Sequence, residues 1–331
     1  MIVDCHGHFT TVPTAHTEWR RTQLAAWESG LTPPPYPEIG DDEIAAALAP
    51  RQLAMMDERG IDVTLFSPQA SAQGHHLGDA EVSLEWARRC NDLVHRATRL
   101  FPGRFVGVCQ LPQSPGTSLE NSVAELRRCV EELGFVGCNL NPDPSGGSWD
   151  SPALTDEYWY PLYQAMVDLD VPAMVHVSAS ANPAVHTTGA YYLNADTTVV
   201  MQLLAGDLFA DLPALRLVVP HGGGAAPYHW GRFRGLAAML DRPTPADGLL
   251  GNLFFDTCVY HQAGIDLLTR VVPASNLVFG SEMIGAVRVE DPETGHHFDD
   301  TRRYLDACAL TAAELAQVFA GNARRVYPRM P

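Results

Sequence analysis

Eight short apolar runs, separated by longer amphipathic segments, are the feature of this sequence that most limits its fold. The runs are rich in β-branched and aromatic residues, as buried strands are, and they occupy 2–4, 62–67, 105–111, 135–141, 172–178, 216–221, 252–257 and 276–281. The intervening segments carry apolar residues near helical spacing, for example at 42–59, 81–100, 118–133, 155–169, 197–209 and 225–240. Alternation of this kind indicates parallel βαβ units.

Eight such units in a chain of 331 residues predict an α/β fold, a single (β/α)8 TIM-like barrel over residues 1–331. A doubly wound open sheet is the alternative, but no Gly-x-Gly-x-x-Gly follows the first run. We expect loop insertions near 10–41, which holds the Pro-rich Thr32–Pro37, and near 286–298. Thr311 and Glu314 form a capping box that predicts the start of a last helix.

All 22 basic residues are arginine, against 39 acidic residues, so the formal net charge is −17 and lysine is absent. Schiff-base and pyridoxal-phosphate chemistry need a lysine amine, and P-loop nucleotide hydrolysis needs the loop lysine, so these classes are excluded. A metal pair bridged by a carboxylated lysine is excluded as well. The acidity argues against nucleic acid and membrane partners, and an acidic small-molecule substrate would need local arginines.

The N-terminus lacks a signal-peptide pattern, and no apolar run approaches the ~18 residues of a membrane helix. The seven cysteines are scattered and form no Cys-x-x-Cys pair, so a disulfide framework is not indicated. We therefore expect a cytoplasmic protein.

Polar side chains cluster at the predicted carboxyl ends of the runs, where barrel enzymes carry their functional groups. His6 and His8 follow the first run. His176, His221 and Asp256 lie in the fifth, sixth and seventh runs, and Glu282 follows the eighth. Because they follow different runs yet share one end of the barrel, they predict one site at that mouth.

His6 and His8 are two residues apart, so their rings leave the same face of a strand. A hydrogen-bonded histidine pair is one interpretation. A shared divalent metal is favoured because His176 and Glu282 occupy matching rim positions, and this set is typical of Zn2+, with Mn2+ or iron also compatible. His221 precedes three glycines and is a candidate general acid or base, the alternative being a core histidine beside a tight turn.

Several segments resemble the amidohydrolase superfamily, in its mononuclear metal-dependent branch of decarboxylases and hydratases. They are DCHGH at 4–8, VHVS at 175–178, PHGGG at 220–224, FFDT at 254–257 and FGSE at 279–282. Longer strings are similar to the zinc-dependent 4-oxalomesaconate hydratases, including CQLPQSP at 109–115, GFVGCNLNPDPSGG at 134–147, TGAYYLNADT at 188–197 and PHGGGAAPYHWGRFRG at 220–235. The resemblance covers nearly the whole chain.

The resemblance implies a hydro-lyase of aromatic acid (protocatechuate or gallate) degradation that converts 4-oxalomesaconate into 4-carboxy-4-hydroxy-2-oxoadipate. His6, His8, His176 and Glu282 would bind one Zn2+ per subunit, and Glu282 and His221 would be catalytic, with the roles of acid and base open between them. A homo-oligomer is also implied. The alternatives are a metal-dependent decarboxylase or hydrolase of a related carboxylic acid, and a catalytically silent metal-binding barrel.

Two positions depart from patterns in the family. Related decarboxylases carry Asp where this chain has Glu282, which the hydratases share, and the hydratases carry Arg where this chain has Gln69. A tricarboxylate would need arginine forks. Candidate substrate-binding residues, each with a surface or structural alternative, are Arg232, Arg234, Arg288, Tyr192, Asn194, Ser71 and Asn139.

Three further expectations concern side chains near the site. Asp256 is expected to support a metal-binding histidine from behind. The histidine pairs His75-His76 and His296-His297 are expected to lie in exposed loops.

Overall fold

Parallel strands form two ladders in the computed structural model, which describes residues 1–331. The first ladder has the order β1-β2-β3 and the second the order β4-β5-β6-β7-β8-β9. The strands are β1 (Val3–Phe9), β2 (Val63–Pro68), β3 (Phe105–Gly107), β4 (Cys109–Gln110), β5 (Cys138–Leu140), β6 (Ala173–Val175), β7 (Leu217–Val219), β8 (Leu253–Asp256) and β9 (Leu277–Val278). Each predicted apolar run thus contains strand structure, and the third run contains both β3 and β4.

Backbone hydrogen bonds join the two ladders at both seams. At one seam Val108, between β3 and β4, donates its N–H to the carbonyl of Phe66 over 2.9 Å. At the other seam Cys5 N donates to the carbonyl of Phe279 over 2.8 Å, which links β1 to the end of β9. The strands therefore close on themselves, and the predicted (β/α)8 barrel is confirmed.

Helices follow the strands and cover the barrel. They are α1 (Thr14–Glu28), α2 (Asp41–Leu48), α3 (Ala54–Arg59), α4 (Ala80–Leu100), α5 (Glu120–Glu131), α6 (Tyr160–Asp168), α7 (Tyr192–Ala205), α8 (Leu208–Asp211), α9 (Trp230–Met239), α10 (Pro245–Gly248), α11 (Gln262–Val271), α12 (Thr301–Asp306), α13 (Ala312–Ala316) and α14 (Asn322–Val326). Every predicted amphipathic segment contains helix. The segment 42–59 is interrupted by a π-helical turn at Ala49–Leu53, where Pro50 cannot donate a helical hydrogen bond.

Buried side chains from the strands and from the residues beside them fill the barrel interior below the mouth. This inner cluster contains Val3, Cys5, Leu65, Val106, Val108, Val136, Met174, Val218, Phe254 and Val278, and Tyr327 beyond α14 lies against it. Along β8 the alternation is clear, since Phe254 belongs to the inner cluster while Leu253 and Phe255 pack outward against the helices. The floor is therefore closed, and polar side chains collect at the carboxyl ends.

The segment near 10–41 contains α1, which packs against α4 rather than forming only a loop. His16 stacks on Trp86 with ring centroids 4.4 Å apart, and Trp19 also lies against this cluster. The segment near 286–298 contains one antiparallel bridge, between Glu290 and His297.

Three further observations concern the last helix, the cysteines and the helix lengths. Thr311 and Glu314 form the predicted capping box at the start of α13. All seven cysteines are free. None of the helices combines the length and the apolar character needed to span a bilayer.

The expectation that His75 lies in an exposed loop is wrong. His75 is buried, its Nδ1 accepts from Gln113 N and its Nε2 lies 3.3 Å from Gln110 Nε2. The loop after β2 folds inward here, which its local sequence does not indicate. His296 is exposed and His297 is half-buried.

A buried ion pair fixes the segment that follows β9. Arg59 at the end of α3 donates to Asp299 Oδ1 over 2.7 Å, and Asp299 Oδ2 accepts from Ile284 N over 2.9 Å. We expect Asp299→Ala to cost about 3–5 kcal/mol of unfolding free energy, because it leaves the Arg59 charge buried and unpaired. Urea denaturation measures this cost. Asp57→Ala, which removes an exposed ion pair with Arg104 from the same helix, should cost about 1 kcal/mol or less, and equal costs would contradict the assignment.

Stability should decline in acid partly through His75. Burial, with a further contribution from the Arg20 charge, lowers the pKa of His75 to about 3. The unfolded chain binds a proton here below the usual pKa of 6.5, whereas the folded chain does not, so stability present above pH 6.5 is lost as the pH falls toward 3. As the pH falls from 7 to 5, the unfolding free energy from urea denaturation should therefore fall more steeply in the wild type than in His75→Gln, by up to about 1.4 kcal/mol per pH unit. Parallel slopes would refute this.

Candidate active site

A β-bulge in β1 aims two histidines at the barrel mouth. The pairing of β1 with β2 shifts register between Asp4 and Gly7. Cys5 and His6 lie within this shift, where Cys5 points into the inner cluster, whereas His6 and His8 face the mouth. The sequence prediction placed both histidines after the first strand, but β1 continues to Phe9 and holds them within it. Their shared face is as predicted.

Four imidazole rings meet at this mouth. His6 lies 4.9 Å from His8, 5.2 Å from His176 and 5.3 Å from His221, measured between ring centroids. His176 lies 5.2 Å from both His8 and His221. All four rings are buried.

An acceptor behind each ring orients it. Nδ1 of His6 donates to Asp256 Oδ2 over 2.6 Å, and Nδ1 of His176 donates to the carbonyl of Val177 over 2.7 Å. Asp256 is held in turn by the N–H groups of Gly222 and Cys258, each 3.0 Å from its Oδ1. The expectation that Asp256 supports a histidine from behind agrees with this geometry.

His8 and His221 are oriented in the same manner. Nδ1 of His8 donates to Ser67 Oγ over 2.8 Å, and Asn139 Nδ2 donates to the same oxygen over 3.1 Å. Nδ1 of His221 donates to Asp196 Oδ2 over 2.9 Å. Since all four Nδ1 atoms donate outward, the four Nε2 atoms are directed at the common centre.

Glu282 reaches this centre from the chain after β9. Its backbone has a positive φ of 49°, and its N–H donates to the carbonyl of His6 over 2.9 Å. Tyr260 Oη donates to Glu282 Oε2 over 3.0 Å, and the same oxygen lies 3.7 Å from His221 Nε2. Burial lowers the pKa of His221, but the carboxylates of Asp196 and Glu282 raise it to a net value of about 9.

The donor set fits a divalent cation. Nε2 of His6 and Nε2 of His8 lie 3.0 Å apart, and two nitrogen lone pairs at this distance repel unless a shared proton or a cation lies between them. Nε2 of His176 and Nε2 of His221 are buried without a hydrogen-bond partner. Donor atoms of His6, His176, His221 and Glu282 all lie within 4.8 Å of one another. The four residues predicted to bind metal thus lie together, and His221 Nε2 lies within the same cluster.

A small cavity lies beside this cluster. It is lined by His8, Thr10, Gln69, Ala70, Ser71, Thr188, Tyr192, Glu282, Gly285 and Ala286. Tyr192 begins α7, stacks on His221 with ring centroids 5.2 Å apart and meets His176 edge-on at 4.8 Å. Burial raises the pKa of the Tyr192 phenol well above its usual range, so the group stays a neutral hydrogen-bond donor.

The predicted substrate-binding residues separate into two groups. Ser71 and Tyr192 line the cavity. Asn139 is buried beneath it, on Ser67. The other four are exposed and absent from the cavity wall: Arg232, Arg234, Arg288 and Asn194. Their role in substrate binding stays a prediction, since the fold of one chain does not bring these residues to the cavity.

Two residues of the site were not among the predicted ones. Asp196 lies 25 residues before His221, and Tyr260 lies 22 residues before Glu282. Spacing in sequence does not reveal such pairs. The one signal in the sequence was position, because both residues follow predicted strands at the barrel mouth, and position alone is weaker than a motif.

A family model for amidohydrolases matches residues 3–329. The chain belongs to the amidohydrolase family. The 2-keto-4-carboxy-3-hexenedioate hydratase of Sphingobium sp. (strain NBRC 103272 / SYK-6) is 60% identical over 330 residues, which cover 100% of this chain and 97% of that protein.

Two solved structures are similar to this amidohydrolase. The 4-oxalomesaconate hydratase of Rhodopseudomonas palustris shares 54% identity with a TM-score of 0.93, covering 99% of this chain and 96% of that one. A dihydroxybenzoic acid decarboxylase of Polaromonas sp. JS666, solved with bound manganese and an inhibitor, shares 20% identity with a TM-score of 0.71, again covering 99% and 96%. At that identity the second likeness establishes the fold alone.

Metal affinity should depend on the carboxylate behind His6. Asp256→Asn weakens the charge that holds the His6 ring, so we expect metal affinity to fall roughly 10–100-fold. Titration of the apoprotein with Zn2+, followed by metal analysis, measures this. His296→Ala, at an exposed histidine that is not part of the cluster, is the matched control and should bind as the wild type does. Unchanged affinity in Asp256→Asn would refute the role of Asp256, and a wild type that binds no Zn2+ would refute the metal centre.

Proposed function

We propose that this amidohydrolase is a metal-dependent hydratase that adds water to the conjugated double bond of 4-oxalomesaconate (2-keto-4-carboxy-3-hexenedioate). The product is 4-carboxy-4-hydroxy-2-oxoadipate, an intermediate of protocatechuate and gallate degradation. The observation that carries the proposal is the 60% identity to a named hydratase over essentially the full length of both chains. The enclosed cluster of four histidines and one glutamate at the cavity agrees with it.

The proposed metal is one Zn2+ per chain, with Mn2+ also compatible, held by His6, His8, His176 and Glu282. When bound, the cation lowers the pKa of a nearby water and stabilises negative charge on the substrate. The manganese of the Polaromonas decarboxylase supports a divalent cation in this fold.

Glu282 is the proposed base. Its carboxylate lines the cavity and is oriented by the Tyr260 phenol. It removes a proton as the water oxygen bonds to C4 of the substrate, and the electron pair of the C3–C4 double bond moves into the adjoining ketone as an enolate. Such a base contributes roughly 10²–10⁴-fold to a rate.

His221 is the proposed acid. Asp196 fixes its ring through Nδ1 and, with Glu282, keeps it protonated near neutral pH. Donation of the Nε2 proton to C3 collapses the enolate back to the ketone. The proton taken up by Glu282 then returns to His221 across the 3.7 Å that separates Oε2 from Nε2, which restores both groups.

Neutral donors at the cavity wall are proposed to bind the carboxylates of the substrate. Ser71 and Tyr192 present hydroxyl groups there, and both stay uncharged. The exposed arginines and Asn194 remain predictions for this role, as does a homo-oligomer. We also propose a cytoplasmic location, with which the seven unpaired cysteines agree.

Hydration destroys the conjugated enone, so the activity has a direct optical test. The ultraviolet absorption of 4-oxalomesaconate should fade with the metal-loaded enzyme and persist after chelation, and the product should gain the mass of one water. Persistent absorption with metal-loaded enzyme contradicts the proposal. Release of carbon dioxide would assign the rival decarboxylase activity instead.

Glu282→Gln tests the base. We expect kcat to fall roughly 10²–10⁴-fold, because the amide cannot accept the proton of water. The matched control is Glu290→Gln at an exposed glutamate of the same loop region, which should retain wild-type kcat. A variant Glu282→Gln that binds metal and keeps wild-type kcat would exclude Glu282 as the base.

A further inference from the structure

Arg20 is a buried arginine without a carboxylate partner. The other buried arginine, Arg59, is paired with Asp299. No acidic group lies within ion-pair distance of Arg20. Its guanidinium therefore loses hydration free energy on burial without the compensation of an ion pair. Its position in a chain of net charge −17 therefore calls for an explanation.

Neutral groups hold this guanidinium in place. One terminal nitrogen donates to Gln23 Oε1 over 2.7 Å, and the other donates to the backbone carbonyl of Gln73 over 3.3 Å. The Arg20 Cζ atom lies 5.1 Å from the centre of the Trp86 ring. Arg20 thus connects α1 and α4 to the backbone that follows β2.

The backbone that Arg20 contacts is a single tight turn, 69–73, whose carbonyls accept hydrogen bonds from several side chains. Trp86 Nε1 donates to the carbonyl of Ala72 over 3.2 Å, and Gln73 Nε2 donates to the carbonyl of Gln69 over 3.1 Å. Only two backbone hydrogen bonds lie within the turn, from Ala72 N to Gln69 O and from Gln73 N to Ala70 O. Side chains from neighbouring helices therefore supply much of its rigidity.

The opposite side of this turn forms part of the cavity wall. Gln69, Ala70 and Ser71 line the cavity next to His8 and Glu282. Gln69 Nε2 donates to Ser71 Oγ over 2.8 Å, and Ser71 and Tyr192 line the same cavity. Displacement of the turn would move these polar groups relative to the metal cluster.

We propose that Arg20 is a positioning residue, which holds the 69–73 turn so that Ser71 and Gln69 present their polar groups to the substrate. The proposal rests on the proposed hydratase function for its kinetic consequence. The structural consequence, which is that Arg20 keeps opening of the turn slow, does not depend on the hydratase function.

Hydrogen exchange tests the structural part without substrate. Arg20→Met removes the hydrogen bonds of the guanidinium and keeps a long apolar side chain over Trp86. We expect amides of the 69–73 turn to exchange roughly tenfold faster, the loss of one hydrogen bond from a charged donor. Arg21→Met, at the neighbouring exposed arginine, is the matched control and should exchange as the wild type does.

Kinetics test the functional part with 4-oxalomesaconate as the probe. Arg20→Met should raise KM roughly tenfold with kcat within about twofold, because ground-state contacts are loosened while Glu282 and His221 are untouched. Arg20→Lys, which keeps one charged donor, should lie between Met and wild type in both measurements. Bound metal should equal one ion per chain in all variants.

A second variant keeps the proposal testable if Arg20→Met does not fold. Trp86→Phe retains the aromatic face but lacks the donor to Ala72, so it should also speed exchange of the turn and raise KM. Wild-type exchange and wild-type KM in a folded Arg20→Met would overturn the proposal. So would faster exchange spread evenly over the whole chain, which marks general destabilisation. If the wild type itself does not consume 4-oxalomesaconate, the hydratase assignment fails, and the exchange result still decides whether Arg20 holds the turn.

Discussion

The seam between β1 and β9 is the contact on which the site depends. Asp4 Oδ1 accepts from the N–H of Ser281, Asp4 Oδ2 accepts from the Ser281 hydroxyl over 2.5 Å, and Glu282 N then donates to the carbonyl of His6. These bonds bring the end of the last strand against the bulged first strand. Without them Glu282 would not approach the histidines, and the Nε2 atoms would lose the carboxylate that balances a cation.

Buried polar groups at the mouth are stable only as a set. His6 needs Asp256, His8 needs Ser67 and His221 needs Asp196, since a buried imidazole without a partner is costly. Once each Nδ1 is committed outward, the inward nitrogens are acceptors that only a proton or a cation can satisfy. The chemistry of the site therefore follows from the hydrogen bonds behind it.

Much of the fold could be predicted from sequence because apolar periodicity is a local property. All eight runs contain strands, and the amphipathic segments contain helices. Metal-binding candidates could be predicted for a related reason, since barrel topology brings His6, His176 and Glu282 to one end. Pairings such as Asp196 with His221, and the burial of His75, depend on how α7 and the loop after β2 pack, which no local pattern encodes.

The arginine prediction shows a limit of a different kind. A tricarboxylate in a chain of charge −17 suggests nearby arginine forks, yet Arg232, Arg234 and Arg288 project from exposed backbone. Within one chain, the positive charge available at the mouth is that of His221 and, under the proposed function, that of a cation that the histidine cluster fits. Under the proposed mechanism both would lie where negative charge develops during hydration, whereas an arginine that binds a carboxylate away from the reacting atoms would bind substrate and transition state alike. An arginine behind the wall, as at Arg20, can then hold the turn that presents neutral donors without competing for the reacting centre.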